Sequence, residues 1–227
     1  MTKTILITGA ARRIGRAMAT HFAAKGWHVA AHYGHAQADA IILQHDIAAT
    51  GGKITLFQSD FTQDGAAAHL FDDVVNQCGM PSILINNAAR FERDDGGITE
   101  ESLNAHMTVN CTTPIMLTQL MRTGQTAPRF VFNILDRTLD WSWPHLPAYV
   151  MSKLALEEWT KRNAEAFKPE LYMFGLRLGP TMRNPRESEQ HFEKAIATKS
   201  ATTVADILAA IEASLESPQS RPSLVDI

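Results

Sequence analysis

Cysteine is scarce: Cys78 and Cys111 are the two among 227 residues. Two thiols cannot build a disulfide framework or a zinc cluster. Charge of one sign is scarce too, since 21 lysines and arginines face 24 aspartates and glutamates for a net charge of −3. That balance exerts no long-range pull on nucleic acid or an anionic membrane. No apolar run approaches the ~20 residues needed to cross a bilayer. The opening Ile5-Leu6-Ile7 run is too short for the core of a secretion signal. The expectation is a soluble, cytoplasmic protein with a small-molecule substrate and neither nucleic acid nor membrane as partner.

Apolar residues make up 45% and charged residues 20%, which excludes a disordered or collagen-like chain. Short β-rich runs alternate with helical patterns. The pattern predicts strands at Thr4–Thr8, Trp27–Tyr33, Ile54–Gln58, Ile83–Asn86, Phe130–Leu135, Leu171–Leu178 and Ser223–Val225. Between them it predicts helices at Ile14–Lys25, 36–50, Asp64–Cys78, Glu100–Arg122, Pro147–Phe167 and Val204–Leu215. Such alternation implies a mainly parallel sheet with right-handed crossovers and helices on both faces. One doubly wound α/β Rossmann domain over 1–227 is expected, with residues at about 180–200 as a substrate lid.

Thr8-Gly9-Ala10-Ala11-Arg12-Arg13-Ile14-Gly15 falls between the first strand and first helix. Small residues there let the backbone approach a pyrophosphate at the helix N-terminus. The stretch alone also fits an ordinary strand–helix turn. Three further stretches change the weighing: Asn86-Asn87-Ala88 after the fourth strand, Asn110 with Pro114 four residues on, and Tyr149-Val150-Met151-Ser152-Lys153 opening a helix. In order and spacing the set resembles the short-chain dehydrogenase/reductase family up to about Pro180. Where that family usually has glycine, this chain has Arg13. Ala-Ala-Arg-Arg-Ile-Gly resembles the pteridine reductase branch, which includes bacterial dihydromonapterin and dihydrofolate reductases. In that branch the arginine reaches cofactor phosphate and substrate. The alternative is a surface arginine in a tolerant position.

The resemblance implies a nicotinamide cofactor on Gly9, Arg12, Arg13, Ile14 and Gly15, with Asn87 and Ala88 beside it. It places Asp60-Phe61 at the adenine, although Asp60 also suits the cap region of the next helix. Pro180-Thr181 would face the carboxamide. A homo-oligomer, dimer or tetramer, is implied as well. An NAD site places a carboxylate ~20 residues past the glycine loop, on the ribose hydroxyls. Here the second strand ends His32-Tyr33-Gly34-His35-Ala36, and the first acid is Asp39. A 2′-phosphate would not be repelled, and Arg12, Arg13, His32 and His35 could meet it, so NADPH is preferred. No metal is expected, because His28, His32 and His35 lack carboxylate or thiolate companions.

Tyr149 and Lys153 are four apart and share a helix face. An ammonium beside a phenol lowers the phenol's pKa from ~10 toward a working range. The family resemblance makes Tyr149 the proton donor, has Lys153 tune it and hold the nicotinamide ribose, and has Asn110 support a water linking the lysine to solvent. Most family members carry serine about thirteen residues before the tyrosine, where this chain has Asp136. The enzyme has either lost a catalytic group or specialised. A carboxylate repels a developing alkoxide, whereas C=N reduction puts a proton on nitrogen, so an acid relaying through Tyr149 suits it. Pteridine reductases also carry Asp at this spacing. In them an aromatic matching Phe91 stacks the pterin, although Phe91 alone also reads as packing. Trp141 and Trp143 either wall the pocket or shield a subunit contact. The reading is an NADPH-dependent reductase of a pterin-type C=N bond. The alternatives are a carbonyl reductase and a non-catalytic NADP-binding regulator.

Overall fold

In the computed structural model, residues 3–122, 128–140, 144–181, 193 and 201–227 are described. Trp141, Trp143 and most of the expected lid lie outside them. The two strands at the winding switch are short and wholly buried. β1 (Thr4–Ile7) and β4 (Ile83–Asn86) have four residues each, all buried. An unbroken apolar run suits a parallel strand covered on both faces. Around them lie β2 (His28–Tyr33), β3 (Lys53–Gln58), β5 (Arg129–Asp136), β6 (Leu171–Leu178) and β7 (Leu224–Asp226). The order is β3-β2-β1-β4-β5-β6-β7, and all six pairings are parallel. The chain therefore reverses its direction of winding between β1 and β4, where open α/β sheets form their ligand crevice.

Helices α1 (Arg13–Ala24), α2 (Gln37–Ala49) and α7 (Val204–Glu216) cover one face, packing Met18, Phe22, Leu43 and Ile207 against Ile5 and Ile7. Helix α3 (Ala66–Cys78), with α5 (Thr113–Met121), covers the other, packing Leu70, Leu117 and Met121 against Leu6 and Leu84. Successive β1 side chains thus serve opposite cores, as the two-residue period of a strand requires. Among the described residues no helix is long and apolar enough to cross a membrane.

The helix expected over Glu100–Arg122 is interrupted. α4 (Glu100–Met107) passes into a wider π turn at Thr108–Thr112 before α5 begins. Pro114 has no N–H to give the carbonyl of Asn110, and the Thr113 N–H reaches back five residues to Thr108. Asn110 and Cys111 lie in this turn, both buried.

The helix carrying Tyr149, α6 (Pro147–Asn163), starts without a capping side chain of its own at Leu146. Asp94 supplies one from 54 residues upstream. Its Oδ2 accepts the Ala148 N–H at 3.1 Å, its own N–H donates to the His145 carbonyl at 2.8 Å, and the Ser102 hydroxyl donates to Oδ1. A carboxylate suits a helix N-terminus, where unpaired N–H groups gather. Asp94→Ala is expected to cost about 1 kcal/mol of cap energy. In a melting experiment that is a Tm drop of about 2–4 °C for a chain of this size. Asp94→Asn, which keeps an acceptor, should lose less.

Candidate active site

Two glycines set the floor of the site. Gly9 has φ +64, and a Cβ there would stand 2.9 Å from the Ala88 Cα. A Cβ on Gly15 would overlap the Gly9 carbonyl oxygen and come 2.7 Å from Asn87 Nδ2. The space is already used by a lacing of loops. Asn87 Nδ2 donates to the carbonyls of Thr8 at 2.9 Å and Gly9 at 3.0 Å, and the Thr8 hydroxyl accepts the N–H groups of Asn87 and Ala88. Together they hold the β1–α1 turn flat against the end of β4. A cleft of about 480 Å³ opens above it.

Gly9, Arg12, Arg13, Ile14 and Gly15 line this cleft at the turn, and Tyr33 lines its far end. Asn87, Ala88 and Phe91 form one side, while Asp136, Tyr149, Lys153, Pro180 and Thr181 close the other. These residues come from six separate segments. Arg13 is the one described non-glycine with positive φ, at 50°. Side chains pay roughly 1–2 kcal/mol to stand there. The Gly179–Pro180 end is fastened by Thr202, whose hydroxyl accepts the Gly179 N–H at 2.7 Å and whose N–H donates to the Pro180 carbonyl at 3.0 Å.

Four expected residues stand elsewhere. His32 is 2% exposed, accepts the Gly9 N–H on Nδ1 at 3.2 Å, gives its other nitrogen to the Ser59 carbonyl at 2.9 Å, and stacks on Phe61 with centroids 4.2 Å apart. Burial lowers its pKa to about 4, so it is neutral and offers a 2′-phosphate no charge. Phe61 is therefore core, and it is not in the cleft lining. Asp60 turns its Oδ1 onto the Thr62 N–H and hydroxyl, at 3.0 and 2.8 Å, in a local turn outside the cleft. Asn110 is fully buried, and its amide accepts the Arg90 N–H at 2.7 Å and donates to the Arg90 carbonyl and the Ser152 hydroxyl, each at 2.9 Å. Its side chain pins the segment that carries Phe91.

The groups expected to react are packed tightly. The Tyr149 hydroxyl donates to Asp136 Oδ2 at 2.9 Å. The other carboxylate oxygen accepts the Thr138 N–H at 2.7 Å and the Thr138 hydroxyl at 2.5 Å. Lys153 Nζ, buried, donates to the Ile134 carbonyl at 2.8 Å. Phe91, 41% exposed, meets Tyr149 edge-on with centroids 4.7 Å apart. The expected sign of the tyrosine shift is reversed here. Burial, then the Asp136 charge and the bond to it, raise the Tyr149 pKa well above 10. The lysine ammonium is aimed at Ile134, so the nearest charge to the phenol is negative. Burial lowers Lys153 to about 8, against an upward pull from Asp136.

Sequence reasoning missed Asp94 and Thr138. Neither carries a motif, since each acts through a partner that only the fold brings near. Thr138, two residues past Asp136, was the more readable, because threonine there commonly bonds an aspartate two back.

A family model described as short chain dehydrogenase matches residues 3–181. Short chain dehydrogenase/reductase dpchG of Colletotrichum higginsianum is 29% identical over 174 residues, 74% of this chain and 65% of its own. Short-chain dehydrogenase/reductase FrzI of a Cladobotryum species is 32% identical over 166 residues, 71% of this chain and 63% of its own. The matched stretch thus spans just under two thirds of these curated relatives. Among solved structures, FolM alternative dihydrofolate reductase 1 of Brucella canis, complexed with NADP, is 26% identical with a TM-score of 0.89, covering 99% of this chain and 91% of that one. The promiscuous reductase LugOII, which catalyses keto-reduction, is 28% identical with a TM-score of 0.86, covering 99% and 95%. With the glycine turn, the asparagine lacing and the Tyr149–Lys153 helix in one cleft, that match over most of its length makes this chain a member of the short-chain dehydrogenase/reductase family.

Proposed function

We propose that the protein is an NADPH-dependent reductase of the C=N bond of a pterin-type compound: a dihydropteridine, dihydromonapterin or dihydrofolate. One observation carries the reading, the Tyr149 hydroxyl donating to the Asp136 carboxylate inside the cleft. The likeness to the NADP-bound Brucella FolM supports it, as does the presence of Arg13 in the cleft lining at the turn. Asp136 is the only carboxylate in the cleft lining among the described residues, so the end at Arg12 and Tyr33 favours a phosphate over bare ribose hydroxyls.

NADPH when bound supplies the hydride. The protein's task is the proton. Delivery of the Tyr149 proton to substrate nitrogen leaves a phenolate against a carboxylate, which the raised tyrosine pKa marks as costly. That cost is offset where the accepting nitrogen becomes cationic beside the Asp136 carboxylate, and a solvent proton then restores the phenol. Thr138 holds one carboxylate oxygen, so the other faces Tyr149. A C=N nitrogen can take the proton before hydride arrives, giving a cation that an anionic site stabilises. A ketone oxygen instead becomes an alkoxide beside that same negative charge. Phe91, beside Tyr149, offers a flat ring an apolar face.

A second reading, a ketoreductase, is favoured by the likeness to LugOII. Dihydrobiopterin, dihydromonapterin, dihydrofolate and simple ketones, each with NADPH and NADH, separate the two. Pterin turnover with NADPH is expected, and turnover of ketones alone overturns the pterin reading. Tyr149→Phe should lose about 10²–10⁴-fold in kcat, the usual worth of a general acid. Asp136→Ser should raise the ketone-to-pterin ratio of kcat/KM by about tenfold, ~1.4 kcal/mol of barrier.

The pH profile follows from Lys153. Its ammonium is charged below about 8 and lost above, so activity should fall on the alkaline side with a midpoint near 8. Asp136 pulls that value upward. Asp136→Asn should therefore move the alkaline limb to lower pH, as initial rates across pH 6–10 with a stable substrate would register.

A further inference from the structure

At the end of the cleft away from Tyr149, Arg12 is already engaged. Its Nη2 and Nε reach the same oxygen of Asp39, at 2.6 and 2.7 Å. That edge of a guanidinium is the one that grips a phosphate through two parallel bonds. Asp39 lies in the first turn of α2, which follows directly from the Tyr33–Ala36 stretch. Tyr33, Gly34 and Ala36 line the cleft beside Arg12, and Tyr33 and Gly34 also border an adjoining hollow of about 380 Å³. Arg16 adds positive field at Asp39 but pairs with Asp46 at 2.5 Å, so Arg12 is the direct partner. Both side chains of the Arg12–Asp39 pair stay open to solvent, at 65% and 36% exposure.

We propose that Asp39 is a specificity-determining residue, an internal anion that competes with the cofactor's 2′-phosphate for Arg12 and so blunts the choice of NADPH over NADH. The inference rests on the NADPH reading of the cleft. A 2′-phosphate must either displace Asp39 from the guanidinium edge or share it at like-charge distance. In both cases the carboxylate opposes the phosphate and leaves a cofactor with free ribose hydroxyls nearly untouched. An exposed ion pair is weak, so the phosphate can win and the penalty is a few-fold in affinity.

The test is equilibrium binding of NADP⁺ and NAD⁺ to the full chain, before and after Asp39→Asn, by calorimetry. The expected result is an NADP⁺ Kd about threefold lower, an NAD⁺ Kd unchanged, and a gain that shrinks as salt rises from about 0.05 to 0.5 M. An NADP⁺ Kd that stays the same or rises overturns the proposal, and a rise would make Asp39 the residue that orients Arg12 for the phosphate. Equal shifts for both cofactors overturn it as well. Tighter NAD⁺ than NADP⁺ binding in the wild type would instead overturn the NADPH reading, while the change in their ratio on Asp39→Asn still decides the role of Asp39.

Discussion

A carboxylate fixed against a phenol whose ionisation burial opposes is the constraint around which the site is arranged. Asp136 is the last residue of β5, paired with Leu178 of β6 along the full length of both strands, so its backbone has little freedom. Thr138 then fixes the side chain through one oxygen. Tyr149 comes to the other oxygen because α6 starts where Asp94 caps it. None of these positions can shift by much without leaving a buried polar group unpaired, which costs more than the bond itself contributes.

The same logic explains the polar residues beneath the cleft. Asn86 donates to Asn133 at 2.8 Å, Asn133 to the Thr160 hydroxyl at 2.8 Å, and Thr160 to the Leu156 carbonyl at 2.7 Å. This buried chain joins β4, β5 and α6 and sets the height of the helix over the sheet. Apolar packing alone would tolerate a slide of α6 along β5. Hydrogen-bond partners at fixed spacing do not, and Lys153 on the same helix reaches the Ile134 carbonyl as a result.

What was legible in the sequence divides along a physical line. Strands buried on both faces announce themselves as runs of Ile, Leu and Val, and Gly9 and Gly15 mark a backbone approach that no other residue permits. The seven strands and the gathering of Arg13, Asn87, Phe91, Asp136, Tyr149 and Lys153 in one cleft followed from such local signals and from the family resemblance. Electrostatic signs did not follow. The tyrosine shift depends on whether an ammonium or a carboxylate lies nearer the phenol, a matter of angstroms in the folded state. The sequence sets His32 among the groups that could meet a 2′-phosphate, yet burial and two hydrogen bonds make it a neutral strut. Pro114 was visible, but whether the helix would break or widen depended on what packs around it. Asp94 and Asp39 act across gaps of 54 and 27 residues that no spacing rule covers.

The two ends of the cleft present opposite charge, and that asymmetry narrows what can lie between them. Arg12 and Arg13 line the turn above α1, while Asp136 faces the reacting end beside a neutral phenol. A bound pair with phosphates at one end and a protonated nitrogen heterocycle at the other would meet opposite charge at each end, less what Asp39 takes up of Arg12. A neutral carbonyl compound gains nothing from Asp136 in its ground state and meets repulsion as its oxygen turns anionic. On the proposed reading, a carboxylate in place of the usual serine would select by transition-state charge more than by shape, through one side chain at the end of β5.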